Sequence, residues 1–436
     1  MATRSIFALA AAVAAVQAAS DVPTVAIPLV LRYAQGKRVA TDIVLPYATI
    51  EAVYDLGSPD FIMFEDNSTM NWGCQYLGCQ GKCNASVPDT ISYNPDLSTT
   101  KTDEAPWNGV YGYGGGLTKM YTSDKTINDT FTFSNAVGPT LEVPNVKVAL
   151  VQYLQQRIYD ANGTCSPVPT YSQSILGISP HVENSVTGPS FRQNLLDSGA
   201  ISAAVQSLWF DKPPSDNITS GEPWIGTGLL GGIDTSKYTG PLVRIQRSFL
   251  EYSQDQYYTS AANMTFFGGG GVPGVALPNN YSIELTGVNM TECLIDSGAG
   301  SESFFPADEA AWLTATGLRW NPDRTQPGSD LAFPGPCDTI PEDSYFEYSF
   351  VGAREGESVT VKIPLRNYHR YQDPLDEQRG WCTVAIYLRG CGLSRTFNTA
   401  VYFAADDERF EIAIAQGGIS EVGSGVDQDS VVLRIP

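Results

Sequence analysis

The sequence predicts an all-β protein built as two similar halves, and three features carry that expectation. Short apolar runs with strand-like alternation dominate, and helix-like stretches are few. Turn residues are dense, with 41 Gly and 28 Pro in 436 residues. An Asp-x-Gly loop at Asp55-Leu56-Gly57-Ser58 returns 241 residues later as Asp296-Ser297-Gly298-Ala299. One such loop alone reads as an ordinary turn. Its return, each time after an apolar run, argues a duplicated architecture whose loops meet at a pseudo-two-fold axis, the glycines allowing close approach.

Taken in order, the first twenty residues read as a secretory signal. Arg4 precedes an Ala-rich apolar core from Ile6 to Val16, with small-residue cleavage sites at Val16-Gln17-Ala18 and Ala18-Ala19-Ser20. The run is too short to span a bilayer. Val25 to Pro46 reads as two strands about a turn at Gln35-Gly36-Lys37, and Ile50, Ala52 and Tyr54 alternate into the first Asp loop. Residues 66–105 read as a polar, Cys-bearing loop region. Tyr111-Gly112-Tyr113 and the glycines that follow read as a hairpin tip, either a flap with aromatic handles or a plain Gly-rich turn. No Gly-Lys-Ser/Thr follows to make it a phosphate loop.

Ser174 to Ile178 and Ala203 to Phe210 read as strands, with a short helix from Phe191 to Leu196, closed by Gly199, between them. Leu229 to Asp234 and Leu242 to Ile245 continue the strand pattern, and Gly268 to Gly271 read as a loop. After the second Asp loop, Pro306 starts a helix with Ala307 to Leu313. Phe410 to Ala415 reads as the last strand, before a polar tail without a membrane span or lipid-anchor signal.

Composition narrows the function. Twenty-six Lys and Arg against 47 Asp and Glu give a net charge of −21, which argues against nucleic acid or an anionic membrane as partner. It suits a protein of acidic surroundings, or serves solubility alone. The two histidines, His181 and His369, make a multi-His zinc site improbable and leave few bases for a nucleophilic triad. Export agrees with eight Asn-x-Ser/Thr sequons, at Asn67, Asn84, Asn128, Asn162, Asn217, Asn263, Asn280 and Asn289. Eight cysteines then read as disulfides rather than metal ligands, and the Cys74/Cys79/Cys83 cluster lacks zinc-ribbon spacing.

Two carboxylates brought together across the axis cannot both ionise easily, so the pair shares a proton. The ionised member takes a proton from water while the protonated one polarises a carbonyl, and peptide hydrolysis at acid pH needs no metal or histidine. On these residues the chain resembles the pepsin family of aspartic endopeptidases over most of its mature length. Asp55 to Ser58 and Asp296 to Ala299 resemble the two D-T/S-G loops, and Tyr111 falls at the flap tyrosine in Tyr-Gly-x-Gly. Ile175-Leu176-Gly177 resembles the strand beneath the first aspartate. Leu195 to Leu208 resembles the helix and strand closing the first lobe. Leu229 to Asp234 with Tyr238-Thr239-Gly240 resembles G-G-I-D…Y-T-G, and Leu393 to Phe397 with Tyr402 to Asp406 resembles the closing motif.

The resemblance implies a bilobal pepsin-like fold with a cleft between its lobes. The expected boundaries are 1–20 for the signal, 21–240 and 241–416 for the lobes, and 417–436 for the tail. It implies Asp55 and Asp296 as catalytic dyad, supported by Gly57, Ser58, Ser297 and Gly298, with Tyr111, Gly112 and Tyr113 on the flap. It also implies a Cys337–Cys382 bridge. Cys74 is expected to pair with Cys79 or Cys83, and Cys165, Cys293 and Cys391 are left to pair among themselves or with that cluster. Phe61, Tyr111, Tyr113 and Phe304 are candidates for pocket walls or for core.

Four departures weaken support of the dyad. Leu56 replaces a hydroxyl that bonds across to the opposite loop, and Ala299 replaces one that steadies Asp296. Ile62 replaces the Trp that partners the flap tyrosine, and Ser394 replaces the Gly of the second apolar-apolar-Gly strand. The stretch from residue 21 to Asp55 leaves no room for an inhibitory prosegment. The expected function is a secreted acid endopeptidase. It would act as a monomer on a polypeptide in the cleft, without cofactor or metal, with attachment to a cell surface or wall left open. The alternative is a weak or inactive relative that binds peptides or a partner there. A structural wall glycoprotein is the weaker third reading.

Overall fold

The computed structural model describes residues 23–31, 39–74, 82–86, 92–113, 119–133, 140–158, 174–180, 188–214, 222–248, 255–268, 281–283, 292–306, 308–321, 331–369 and 380–436. Strands dominate, and six of them form a shared antiparallel platform in the order Thr239–Ile245, Glu411–Gln416, Val401–Asp406, Val205–Phe210, Trp224–Leu230, Val25–Leu31. Its middle pair joins the halves, with Val205 opposite Asp406 and Leu208 opposite Phe403. The outermost strand shows why such sequences pleat this way. Val25, Ile27, Leu29 and Leu31 turn into the core while the residues between are half-buried.

From Val25–Leu31 the sheet runs on through Val39–Leu45 to Ala48–Asp55. Here the first half makes a distinctive crossing. Ser174–Gly177 lies parallel to Ala48–Asp55 and antiparallel to Phe61–Cys74. A Cβ on Gly177 would stand 2.4 Å from Asp60 N and 2.5 Å from Asp60 O, so only glycine fits where the chain turns past it. The second half repeats the crossing, with Gly392–Leu393 parallel to Cys293–Ile295 and antiparallel to Glu302–Ser303. Each Asp loop therefore leaves one strand of such a triplet and enters another.

Several local expectations are corrected. The region 66–105 is not all loop. Phe61–Cys74 is one strand paired in parallel with Leu141–Ile158, Lys82–Ser86 pairs with it, and Thr102–Tyr113 begins a hairpin. Ser, Thr and Asn obscure strand alternation there, and ladder partners distant in sequence supply the pairing. Pro306 does not open the helix. Glu309–Thr316 starts later because the Asp308 carboxylate caps it, accepting from Ala311 N–H at 2.9 Å. Phe191–Asp197 is helical, capped by Ser190 and followed by Gly199 at φ 73°, a left-handed value that favours glycine.

Glu411–Gln416 is not the last strand, because Val431–Val432 pairs with Ile233–Asp234. Residues 417–436 pack back on the platform. Asp211 accepts from Ser420 Oγ and Gly423 N–H, both at 2.7 Å, and Ile435 is buried. Among the described residues two disulfides are in place, Cys337–Cys382 and Cys293–Cys391. The signal segment, His181, Cys79, Cys165, the hairpin tip 114–118 and the sequons Asn162, Asn217, Asn280 and Asn289 lie outside the described residues. So do the side chains of Cys74, Cys83, Asn67 and Asn84. Asn128 is half-buried and Asn263 exposed. Among the described residues no helix is long and apolar enough to cross a membrane.

Candidate active site

The two Asp loops face each other. A Cβ built on Gly298 would lie 2.4 Å from Asp55 Oδ1 and 3.0 Å from Asp296 Oδ1, and one on Gly57 would lie 2.6 Å from the Asp296 carboxyl carbon. Each glycine thus packs against the opposite aspartate, and both carboxylates converge on one spot where no larger residue fits. Asp55 is buried and Asp296 half-buried.

Asp55 is held from its own loop. Gly57 N–H donates to Oδ1 at 2.9 Å and Ser58 Oγ–H to Oδ2 at 2.7 Å. Ser297 then ties the loops together. Its hydroxyl accepts from Leu56 N–H at 3.0 Å and donates to the Tyr54 carbonyl at 2.6 Å. Leu56 cannot return such a bond, and its side chain is fully buried in the main core instead. The cross-link is one-sided, as the sequence indicates.

The hairpin of Thr102–Tyr113 and Lys119–Phe133 brings Tyr111 and Tyr113 toward the loops. Tyr113 Oη lies 3.3 Å from Ser58 Oγ and donates to Asp60 Oδ2 at 3.3 Å. Gly112, between them, is exposed. Ile62 is buried, and the indole expected at its place comes from another position. Trp107 Nε1–H donates to Tyr111 Oη at 2.6 Å. Residues 107, 109 and 111 share one strand face, and a Cβ on Gly109 would stand 2.4 Å from both Trp107 Nε1 and Tyr111 Oη. The missing side chain at Gly109 is what lets indole and phenol meet.

Ser394 has its own partner. It follows Leu393 where Gly177 follows Leu176, and its N–H and Oγ–H donate to Glu302 Oε2 at 3.2 and 2.9 Å. Glu302 stands six residues after Asp296, where the first half has the core residue Phe61 six after Asp55. Glu and Ser are a matched exchange for Phe and Gly. Burial lifts the Glu302 pKa to about 8, so the carboxyl is neutral in acid.

Phe61 and Phe304, both candidates for pocket walls, are fully buried core residues. Phe61 packs against Phe131 and Phe191, and Phe304 against Trp312. Sequence reasoning missed Gln256, whose Nε2 donates to the Gly57 carbonyl at 2.7 Å and so reaches the first loop from the second half. Nothing local in the sequence marks it. Among the described residues no group of three His, Cys, Asp or Glu side chains is placed to hold a metal ion.

Paired carboxyls, hydroxyl support and an overhanging aromatic strand together form a setting suited to water activation. No curated protein matches the chain in a sequence search. The model of the eukaryotic aspartyl protease family, by contrast, matches residues 41–415, nearly the whole chain, and the protein belongs to this pepsin-like family of aspartic-type peptidases.

Proposed function

We propose that the protein is a secreted endopeptidase that hydrolyses peptide bonds at acid pH through a water activated by Asp55 and Asp296. The observation that carries this reading is the reciprocal packing of Gly57 and Gly298 against the opposite aspartates, which directs both carboxyls at one point. Like charges so close share one proton. Asp55 accepts two hydrogen bonds from its own loop, which fix its carboxyl in place, and in this reading it is the base toward water at the start of the cycle. Asp296 then carries the shared proton and donates it to the substrate carbonyl as water attacks. The proton taken from water passes to the leaving amine as the C–N bond breaks. Tyr111 and Tyr113 lie on the strand that would cover an extended peptide. Two disulfides and the signal-like start support export to an oxidising compartment.

A second reading, a weak or inactive relative that holds peptides in the cleft, is favoured by one observation. Among the described residues the cross-link is one-sided, a single hydroxyl bridge from Ser297. Digestion of denatured protein in acid, with and without a statine peptide that mimics the tetrahedral intermediate, separates the two. Cleavage blocked by the statine is the result expected of the peptidase. Retention of the statine peptide without turnover is expected of the binding protein.

A further inference from the structure

A third carboxyl is wired to the site. Asp60 is 7% exposed, and its Oδ1 is buried with no hydrogen-bond partner among the described residues. Its Oδ2 meets Tyr113 Oη at 3.3 Å, Tyr113 Oη meets Ser58 Oγ at 3.3 Å, and Ser58 Oγ meets Asp55 Oδ2 at 2.7 Å. Three links therefore join two carboxyls through two hydroxyls.

The count of protons decides how these links fill. Two hydroxyls carry two protons, so with both carboxyls ionised one link is always empty. Tyr113 then donates to Asp60, Ser58 donates to Asp55, and no proton lies between Tyr113 and Ser58. A proton on Asp60 fills the gap. Asp60 O–H donates to Tyr113 Oη, Tyr113 donates to Ser58 Oγ, and Ser58 donates to the Asp55 carboxylate. Every donor then points toward Asp55, and the flap strand is bonded to Ser58 as well as to Asp60.

We propose that Asp60 is a positioning residue which, when protonated, completes a donor chain through Tyr113 and Ser58 onto Asp55 and so fastens the flap strand over the dyad in acid. Its surroundings hold the proton. Burial lifts its pKa to about 7, against the Tyr113 hydrogen bond, and the charges of Asp55 and Asp255 push the same way. Among the described residues the groups facing it are Tyr113 and Tyr111 on the flap strand, Asp55 on its own loop and Asp255 from the second half, none of them a cation. A Cβ on Gly188 would lie 2.9 Å from Asp60 Oδ1 and 2.8 Å from the Tyr111 ring, so that side of the carboxyl is closed as well. Raising the pH ionises Asp60 and empties the link between Tyr113 and Ser58, so the strand is then held through Asp60 alone and no longer through Ser58 to Asp55.

The kinetic part rests on the peptidase reading, and the spectroscopic part does not. Asp60→Asn supplies a permanent amide donor to Tyr113. The infrared difference between the full-length wild type and Asp60→Asn isolates the Asp60 carboxyl from Glu302 and all others. We expect a protonated-carboxyl band that persists through about pH 6 and fades near pH 7. In the peptidase assay Asp60→Asn moves the neutral limb of kcat/KM upward by about one pH unit. Tyr113→Phe breaks the chain, and adding Asp60→Asn to it then shifts nothing further. A band that fades below about pH 5, or an Asp60→Asn profile that superimposes on the wild type, overturns the proposal. Should the wild type cleave nothing, the infrared titration still decides the protonation of Asp60. The pH dependence of statine-peptide affinity across the same variants then decides the chain. An affinity that falls through pH 7 in the wild type alone supports it, and identical curves overturn it.

Discussion

The Ser297 hydroxyl clasps the backbone of Leu56 across the junction of the two halves, and the apolar Leu56 side chain cannot clasp back. It accepts from Leu56 N–H and donates to the Tyr54 carbonyl, at 3.0 and 2.6 Å, in a site closed to water. Removing it orphans two buried backbone groups, each at about 1–3 kcal/mol. Ser297→Ala is therefore expected to lower stability by roughly 2–6 kcal/mol in denaturant unfolding and to lower kcat more than it raises KM.

The Trp107–Tyr111 bond braces the flap strand from within rather than from the body of the lobe. Trp107→Phe keeps the ring and loses the donor. Trp107 is half-buried, so unfolding should change little while kcat/KM falls by about tenfold, the worth of one well-placed hydrogen bond. Trp107→Ala should add a stability loss through missing packing.

Glu302 sets a pH dependence of stability. Its folded pKa is raised from 4.5 to about 8, first by burial, so the unfolded chain releases this proton earlier than the folded one. The stabilisation is complete below about pH 4.5 and is lost as pH climbs toward 8. Glu302→Gln should flatten that decline in Tm by roughly 5 °C between those limits, measured by thermal unfolding. An equally steep decline in the variant contradicts this assignment.

Arg192 and Asp407 form a buried ion pair between the helix Phe191–Asp197 and the turn after Val401–Asp406, which brings the two halves together. Tyr257 Oη adds bonds to both Asp407 oxygens, at 3.0 and 3.2 Å. Asp407→Asn leaves the Arg192 charge buried without its counter-charge, and a loss of about 3–5 kcal/mol is expected on unfolding. The sequence marks neither residue, because the pairing spans 215 positions.

The parts of this molecule legible in the sequence are those where one strong local requirement rules. The Asp-x-Gly loops could be read because close approach needs glycine on both sides, and Leu56 could be read as a missing hydroxyl. Strands 25–31 and 205–210 followed from apolar patterning, but the strands within 66–105 did not, since their Ser and Thr residues carry no such pattern. Ser394 looked like plain weakening because its partner Glu302 lies 92 residues away. Trp107 was hidden in the same way. A displaced indole is visible only once Gly109 is known to leave room between it and Tyr111.

The most direct test compares proteolysis of a denatured protein between about pH 3 and 6 by the purified wild type, Asp55→Asn and Asp296→Asn. The account predicts acid cleavage by the wild type and a loss of at least about a thousandfold in each variant, with folding retained. Absence of cleavage by a well-folded wild type, or cleavage that survives either substitution, contradicts the shared-proton dyad.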